Sequence, residues 1–120
     1  MVVRVLDLFC GAGGFSHGFL SLSDEHLAID IDPFALETFS LNHPRTKVLR
    51  ADIGTLHASV IERALGGRPH VVIASPPCEE YSLANPTSER PAIERVYGTG
   101  TARLLLDAIR IIGDLEPEVF

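Results

Sequence analysis

Residues 2–15 read VVRVLDLFCGAGGF, an apolar, β-rich run from Val2 to Phe9 that ends in the glycine cluster Gly11-Ala12-Gly13-Gly14. Glycines let a backbone bend sharply and approach a ligand where a Cβ would collide. A strand that feeds such a turn and then a helix opens an α/β unit, with its ligand site at the strand's carboxyl end. The spacing of Phe15, Phe19, Leu20 and Leu22 predicts that helix over residues 15–22.

The same alternation continues along the chain. His26 to Ile31 (HLAIDI) predicts a second strand, and Asp32-Pro33 an N-cap with proline at the first helical position. The helix so opened carries Leu36 and Phe39 and ends near Asn42-His43-Pro44. Lys47 to Ile53 (KVLRADI) predicts a third strand, and Thr55 to Leu65 a helix stopped by Gly66-Gly67. His70 to Ser75 (HVVIAS) is the most continuously apolar strand, as a central parallel strand should be. Residues 76–100 hold four prolines and two glycines and predict a long loop. Thr101 to Leu115 predicts a helix on which Arg103, Asp107, Arg110 and Asp114 form a narrow wet stripe. Pro117 to Phe120 then begins a fifth strand, as expected of an α/β sheet cut short there. Right-handed crossovers give a doubly wound, mostly parallel, Rossmann-like sheet in an order such as 3-2-1-4-5.

Composition bounds the function. The 120 residues suffice for one small domain, with 46% hydrophobic and 22% charged residues and no low-complexity tract. No apolar run reaches the ~20 residues of a membrane span, and the N-terminus lacks the features of a signal peptide. Cys10 and Cys78 have neither disulfide-scaffold nor zinc spacing, so a reducing, cytoplasmic setting is expected. No histidine pairs at metal-ligand spacing, so no metal is expected. The net charge of −6 excludes a chain that grips nucleic acid through a basic face of its own.

Two constellations carry chemistry. About 20 residues after the glycine turn, Asp30 ends the second strand, where a carboxylate accepts from both hydroxyls of a ribose. The pair points to a nucleoside-containing cofactor. The run G-A-G-G lacks the third glycine of a dinucleotide fingerprint, and no lysine follows as in a P-loop. Asp7 would repel a phosphate and suits an ammonium. S-adenosylmethionine, with ribose, ammonium and sulfonium and no phosphate, fits this set. Asp52-Ile53 ends the third strand, where the acid either accepts from an adenine amine or caps the helix ahead of Thr55.

The second constellation is Ser75-Pro76-Pro77-Cys78-Glu79-Glu80-Tyr81-Ser82. Two prolines fix the backbone and present the Cys78 thiol at the mouth of the sheet, where a nucleophile reaches a substrate. The neighbouring carboxylates of Glu79 and Glu80 disfavour the thiolate. Cys10, inside the glycine turn, is expected to pack.

DLFCGAGGFS, then AIDIDPFALETFSLNHP, ADI and SPPCEEYS, in this order and spacing, resemble the cytosine-5 DNA methyltransferase family over nearly the whole chain. The resemblance implies an S-adenosylmethionine-dependent methyltransferase fold and a DNA methyltransferase of the restriction-modification kind. It implies a cofactor site built from Phe9, the turn Gly11-Ala12-Gly13-Gly14, Asp30 on the ribose, Ile31, Asp52 and Ile53 on the adenine, and Pro76. Cys78 would be the catalytic nucleophile, adding to C6 of a flipped cytosine. Where the family commonly has glycine, glutamine and a small residue, this chain has Ser75, Glu79 and Glu80. The family's Glu-Asn-Val motif, downstream arginines and target-recognition region do not occur in residues 1–120. These residues are therefore expected to form the N-terminal part of the cofactor-binding catalytic domain and to be inactive alone, meeting DNA through other parts. Transfer RNA as substrate keeps the same motifs. A non-catalytic subunit that self-associates or complements a partner through the fifth strand and last helix is a third reading. An amino-methyltransferase is disfavoured, because Cys78 stands where that class has an aromatic residue.

Overall fold

The protein was analysed as a computed structural model, which describes residues 1–77 and 102–120. The β-rich runs form β1 (Arg4–Leu8), β2 (Glu25–Asp30), β3 (Lys47–Arg50) and β4 (Val71–Ala74). They make one all-parallel sheet in the order β3-β2-β1-β4. Val119 bridges Val71 in parallel, so residues 117–120 lie beside β4 and extend the order as a doubly wound sheet requires. Leu6 pairs with Leu27 on one side and Val72 on the other, which centres β1 in the sheet.

Helices cover both faces because side chains alternate along each strand. Leu6 and Leu8, with Leu27, Ile29 and Val72, bury against Ile61 and Leu65 of α3 (Ala58–Leu65) and Ala108, Ile111 and Leu115 of α4 (Ala102–Leu115). On the opposite face Ala28 packs with Leu36 and Phe39 of α2 (Pro33–Asn42) and with Cys10. Asp32 caps α2 as expected, its Oδ1 accepting from Phe34 N–H at 2.9 Å. No helix among the described residues is long and apolar enough to cross a membrane.

Three expectations change. The first helix is a single turn, α1 (Gly14–His17), and residues 18–22 continue as turns whose amides bond three residues back, as Phe19 N–H does to Ser16 at 2.9 Å. Gly18 is a poor helix former, and the buried Ser16 spends its hydroxyl below the turn. Strand β3 stops at Arg50, and α3 starts at Ala58 with His57 as N-cap, because residues 52–55 close a turn on Asp52. The wet stripe on α4 is also divided. Arg103 and Asp114 face solvent, while Asp107 is half-buried and Arg110, still exposed, reaches across to the connection between β3 and α3.

Candidate active site

All four strands point their carboxyl ends the same way, and the glycine turn sits at that end of β1. Phe9 leaves the strand with φ +59, a conformation side chains rarely adopt, and Gly11 and Gly13 follow at +54 and +98. The turn is closed by Gly13 N–H to the Cys10 carbonyl at 3.0 Å and tied to β2 by Cys10 N–H to the Ile29 carbonyl at 3.0 Å. Asp30 completes the tie. Its Oδ2 accepts from Gly11 N–H and its Oδ1 from Asp32 N–H, both at 2.9 Å.

Beside this brace lies a crevice of about 210 Å³. Phe9 follows β1, Asp30 ends β2 with Ile31 next, and Ala51, Asp52 and Ile53 follow β3. Ser75 and Pro77 follow β4, and Leu104 reaches in from α4. Whole ligand sites run to roughly 300–1,000 Å³, so this crevice is the size of part of such a site. Its walls are mainly apolar, with two carboxylates. Asp52 Oδ1 accepts from Gly54 N–H at 2.9 Å, so this acid caps its own turn and leaves α3 to His57.

Five predicted cofactor residues (Phe9, Asp30, Ile31, Asp52 and Ile53) therefore meet in one place. Gly11 braces its edge through Asp30. Ala12, Gly13 and Gly14 line a separate hollow with His17, Asn42 and His43. Pro76 is displaced to the far side of β4, in an apolar groove with Leu105, Ile109 and Phe120, and Pro77 takes its place in the crevice. Cys78, with Glu79, Glu80, Tyr81 and Ser82, lies outside the described residues.

Asp7 has a different place from the ammonium-facing one expected. It is 1% exposed and points below the turn, where Ser16 Oγ–H donates to its Oδ2 at 2.5 Å. A hydroxyl has one proton, so Ser16 Oγ accepts from His26 Nε2–H at 2.9 Å, and His26 Nδ1 accepts from Ser23 Oγ–H at 3.2 Å. Burial pushes the Asp7 carboxyl up to about 6, against the Ser16 bond and with help from Asp30. Burial, with His43 nearby, lowers His26 to about 4. Burial and the two acids push the Cys10 thiol up to about 12, so Cys10 is a packing residue as expected. On the other side of the turn His43 Nε2–H donates to the Gly13 carbonyl at 3.2 Å.

Sequence reasoning missed Ala51, Ser75, Pro77 and Leu104 as wall residues. Leu104 belongs to an apolar run on α4, and nothing in its spacing separates a pocket wall from core. The hydrogen-bonded chain beneath the turn had a weak signal only, a serine and a histidine at otherwise apolar places.

Comparison with known proteins agrees with this architecture. A family model described as C-5 cytosine-specific DNA methylase matches residues 3–120. The type II methyltransferase M1.HphI of Haemophilus parahaemolyticus is 38% identical over 123 residues, covering 100% of this chain and 32% of that protein. The type II methyltransferase M.AquIA of a Picosynechococcus species is 32% identical over 124 residues, covering 100% of this chain and 47% of that protein. Among solved structures, an E. coli prophage-encoded protein assigned as a DNA modification methyltransferase superposes with a TM-score of 0.72 at 26% identity, over 96% of this chain and 30% of that one. The chain spans less than half the length of the curated relatives it matches.

Proposed function

The chain belongs to the C-5 cytosine-specific DNA methylase family, and from that premise we propose that it is the cofactor-binding, nucleophile-bearing part of an enzyme that methylates C5 of cytosine in DNA. The observation that carries this reading is the meeting of Asp30, Ile31, Asp52 and Ile53 around one crevice beside the glycine turn.

S-adenosylmethionine fits this donor set. Asp30 offers carboxylate lone pairs to a ribose while its backbone bonds hold it still. Ile31, Ile53 and Leu104 give a purine apolar walls. Asp52, on the crevice wall, would offer an acceptor to an exocyclic amine, and no lysine follows the glycines as in a phosphate-binding loop. When bound, the cofactor supplies an electrophilic methyl group.

Cys78, presented by Pro76-Pro77, is the nucleophile. C5 of cytosine is a poor nucleophile until a thiolate adds to C6 and pushes an electron pair toward C5. With the cofactor held by the crevice, the methyl group would pass to C5 as its bond to the sulfonium breaks and S-adenosylhomocysteine leaves; loss of the C5 proton to a base would then re-form the C5–C6 double bond and expel the thiolate. The base must leave the duplex to reach the cysteine. Glu79 and Glu80 oppose thiolate formation unless a cation or a helix field offsets them.

The test is transfer of a labelled methyl group by the full-length protein to duplex DNA and, in parallel, to transfer RNA. Labelled DNA, with no label from Cys78→Ala, supports the reading. Labelled transfer RNA alone changes the substrate, and activity retained by Cys78→Ala removes the mechanism.

A further inference from the structure

Arg110 sits on α4, a turn and a half after Leu104, and its side chain crosses to the connection between β3 and α3. Nη2 donates to the Ile53 carbonyl at 2.9 Å and Nη1 to the Leu56 carbonyl at 3.1 Å. Asp107 Oδ1 is 4.0 Å from Nε of the same guanidinium. Asp107 also closes on the connection, its Oδ2 lying 3.4 Å from where a Cβ on Gly54 would stand.

These contacts join two walls of the crevice. Asp52 and Ile53 form one and Leu104 another. The connection runs from Ala51 to His57; its ends are tied by Ala51 N–H to the Asp30 carbonyl and Val60 N–H to the His57 carbonyl, and the bonds of Gly54 and Thr55 between them return to Asp52. Ile53 and Leu56 pack in the core shared with Ala108 and Ile111 of α4, and the fork on Arg110 adds the directional bonds that fix the backbone of the connection's far half to that helix. Ile53, whose carbonyl is held, is 3% exposed, so a shift of the loop moves a packed side chain of the pocket.

We infer that Arg110 is a positioning residue for the nucleoside end of the cofactor, holding the Asp52-Ile53 wall at a fixed distance from the Leu104 wall. The inference rests on the S-adenosylmethionine reading above. Guanidinium is suited to the task because its rigid fork reaches two carbonyls at once, whereas a lysine ammonium serves as a single point. A residue acting in this way changes cofactor affinity more than the chemical step.

The experiment uses the full-length protein as wild type, Arg110→Met, Arg110→Lys and Ile111→Val. Ile111 is fully buried on the same helix, in the core shared with Ile53 and Leu56, so its trimming loosens that packing while leaving both Arg110 hydrogen bonds in place. Arg110→Met is expected to weaken S-adenosylhomocysteine binding and raise KM for S-adenosylmethionine about tenfold, with kcat at saturating cofactor within about twofold of wild type. Arg110→Lys is expected between the two, and Ile111→Val at the wild-type KM. If Arg110→Met does not fold, a rise of about threefold in Arg110→Lys carries the same point. Wild-type KM in the Arg110 variants, or an equal rise in Ile111→Val, overturns the inference alone. Failure of the wild type to bind S-adenosylhomocysteine overturns the cofactor reading and this inference together.

Discussion

The backbone N–H of Gly11 donates to Oδ2 of Asp30 at 2.9 Å, across the carboxyl ends of two neighbouring strands. The acid proposed for the ribose is thus also the brace of the glycine turn, because its other oxygen is held by Asp32 N–H at 2.9 Å. Recognition and support share one carboxylate. A mutation there acts on both.

Asp30→Ala is expected to remove cofactor binding and to cost about 1–3 kcal/mol of stability, the range for losing hydrogen bonds to a charged group. Asp30→Asn keeps one acceptor oxygen and is expected to recover most of the stability with little of the affinity. Calorimetric titration with S-adenosylhomocysteine and denaturant unfolding separate the two effects. Full stability in Asp30→Ala would mean that the turn does not need its brace.

Two glycines of the turn predict different costs. A Cβ on Gly13 would stand 2.6 Å from Nε2 of His43 and 2.7 Å from a ring carbon of Phe39, at φ +98. Gly13→Ala is expected to lose about 3 kcal/mol through overpacking and backbone strain. A Cβ on Gly11 meets nothing within 4 Å, so Gly11→Ala carries only its left-handed backbone, about 1 kcal/mol. Equal losses in urea unfolding would contradict the packing described around His43.

Asp7 and His26 give opposite pH dependences. Native Asp7 keeps a proton up to about pH 6 that the unfolded chain releases near 3.8, so its contribution to stability falls as pH rises through that window. Native His26 refuses a proton down to about pH 4 that the unfolded chain takes up near 6.5, so its contribution rises with pH. Each amounts to about 3 kcal/mol, and they nearly cancel between pH 4 and 6. Stability of Asp7→Asn relative to wild type should climb with pH between 3.8 and 6, and that of His26→Gln should drop between 4 and 6.5. Flat difference curves would show that neither group is held as described.

Cys10 is 7% exposed with its thiol pushed up to about 12. Its alkylation by iodoacetamide in the native protein is expected to be roughly a thousandfold slower than that of a free thiol. Cys10→Ala should keep methyl transfer. Mass spectrometry of the native and unfolded protein reads the alkylation at Cys10 and labelled-methyl transfer the activity, and rapid native labelling would place Cys10 at the surface.

Much of the fold was legible because local signals agreed with each other. Asp32-Pro33 started α2 and Asn42-His43 ended it, since capping and proline geometry are properties of a few adjacent residues. The alternation of strands and helices pointed to a doubly wound sheet in an order such as 3-2-1-4-5, and the four strands lie in the order 3-2-1-4. What depended on distant partners was hidden. The helix after Gly14 looked four residues longer than it is, because nothing local shows that Ser16 turns to Asp7. Arg110 looked like part of a solvated stripe, because its carbonyl partners lie 54 and 57 residues earlier. Asp30 was found by spacing, yet its second duty toward Gly11 was not.

The central claim is that the crevice between Asp30 and Leu104 binds the nucleoside end of S-adenosylmethionine. The measurement that tests it most directly is a calorimetric titration of the full-length protein with S-adenosylmethionine, repeated with Asp30→Ala and with Cys78→Ala. The account predicts one saturable site in the wild type, retained in Cys78→Ala and lost in Asp30→Ala. Binding that survives Asp30→Ala undiminished, or no binding by the folded wild type, would contradict it.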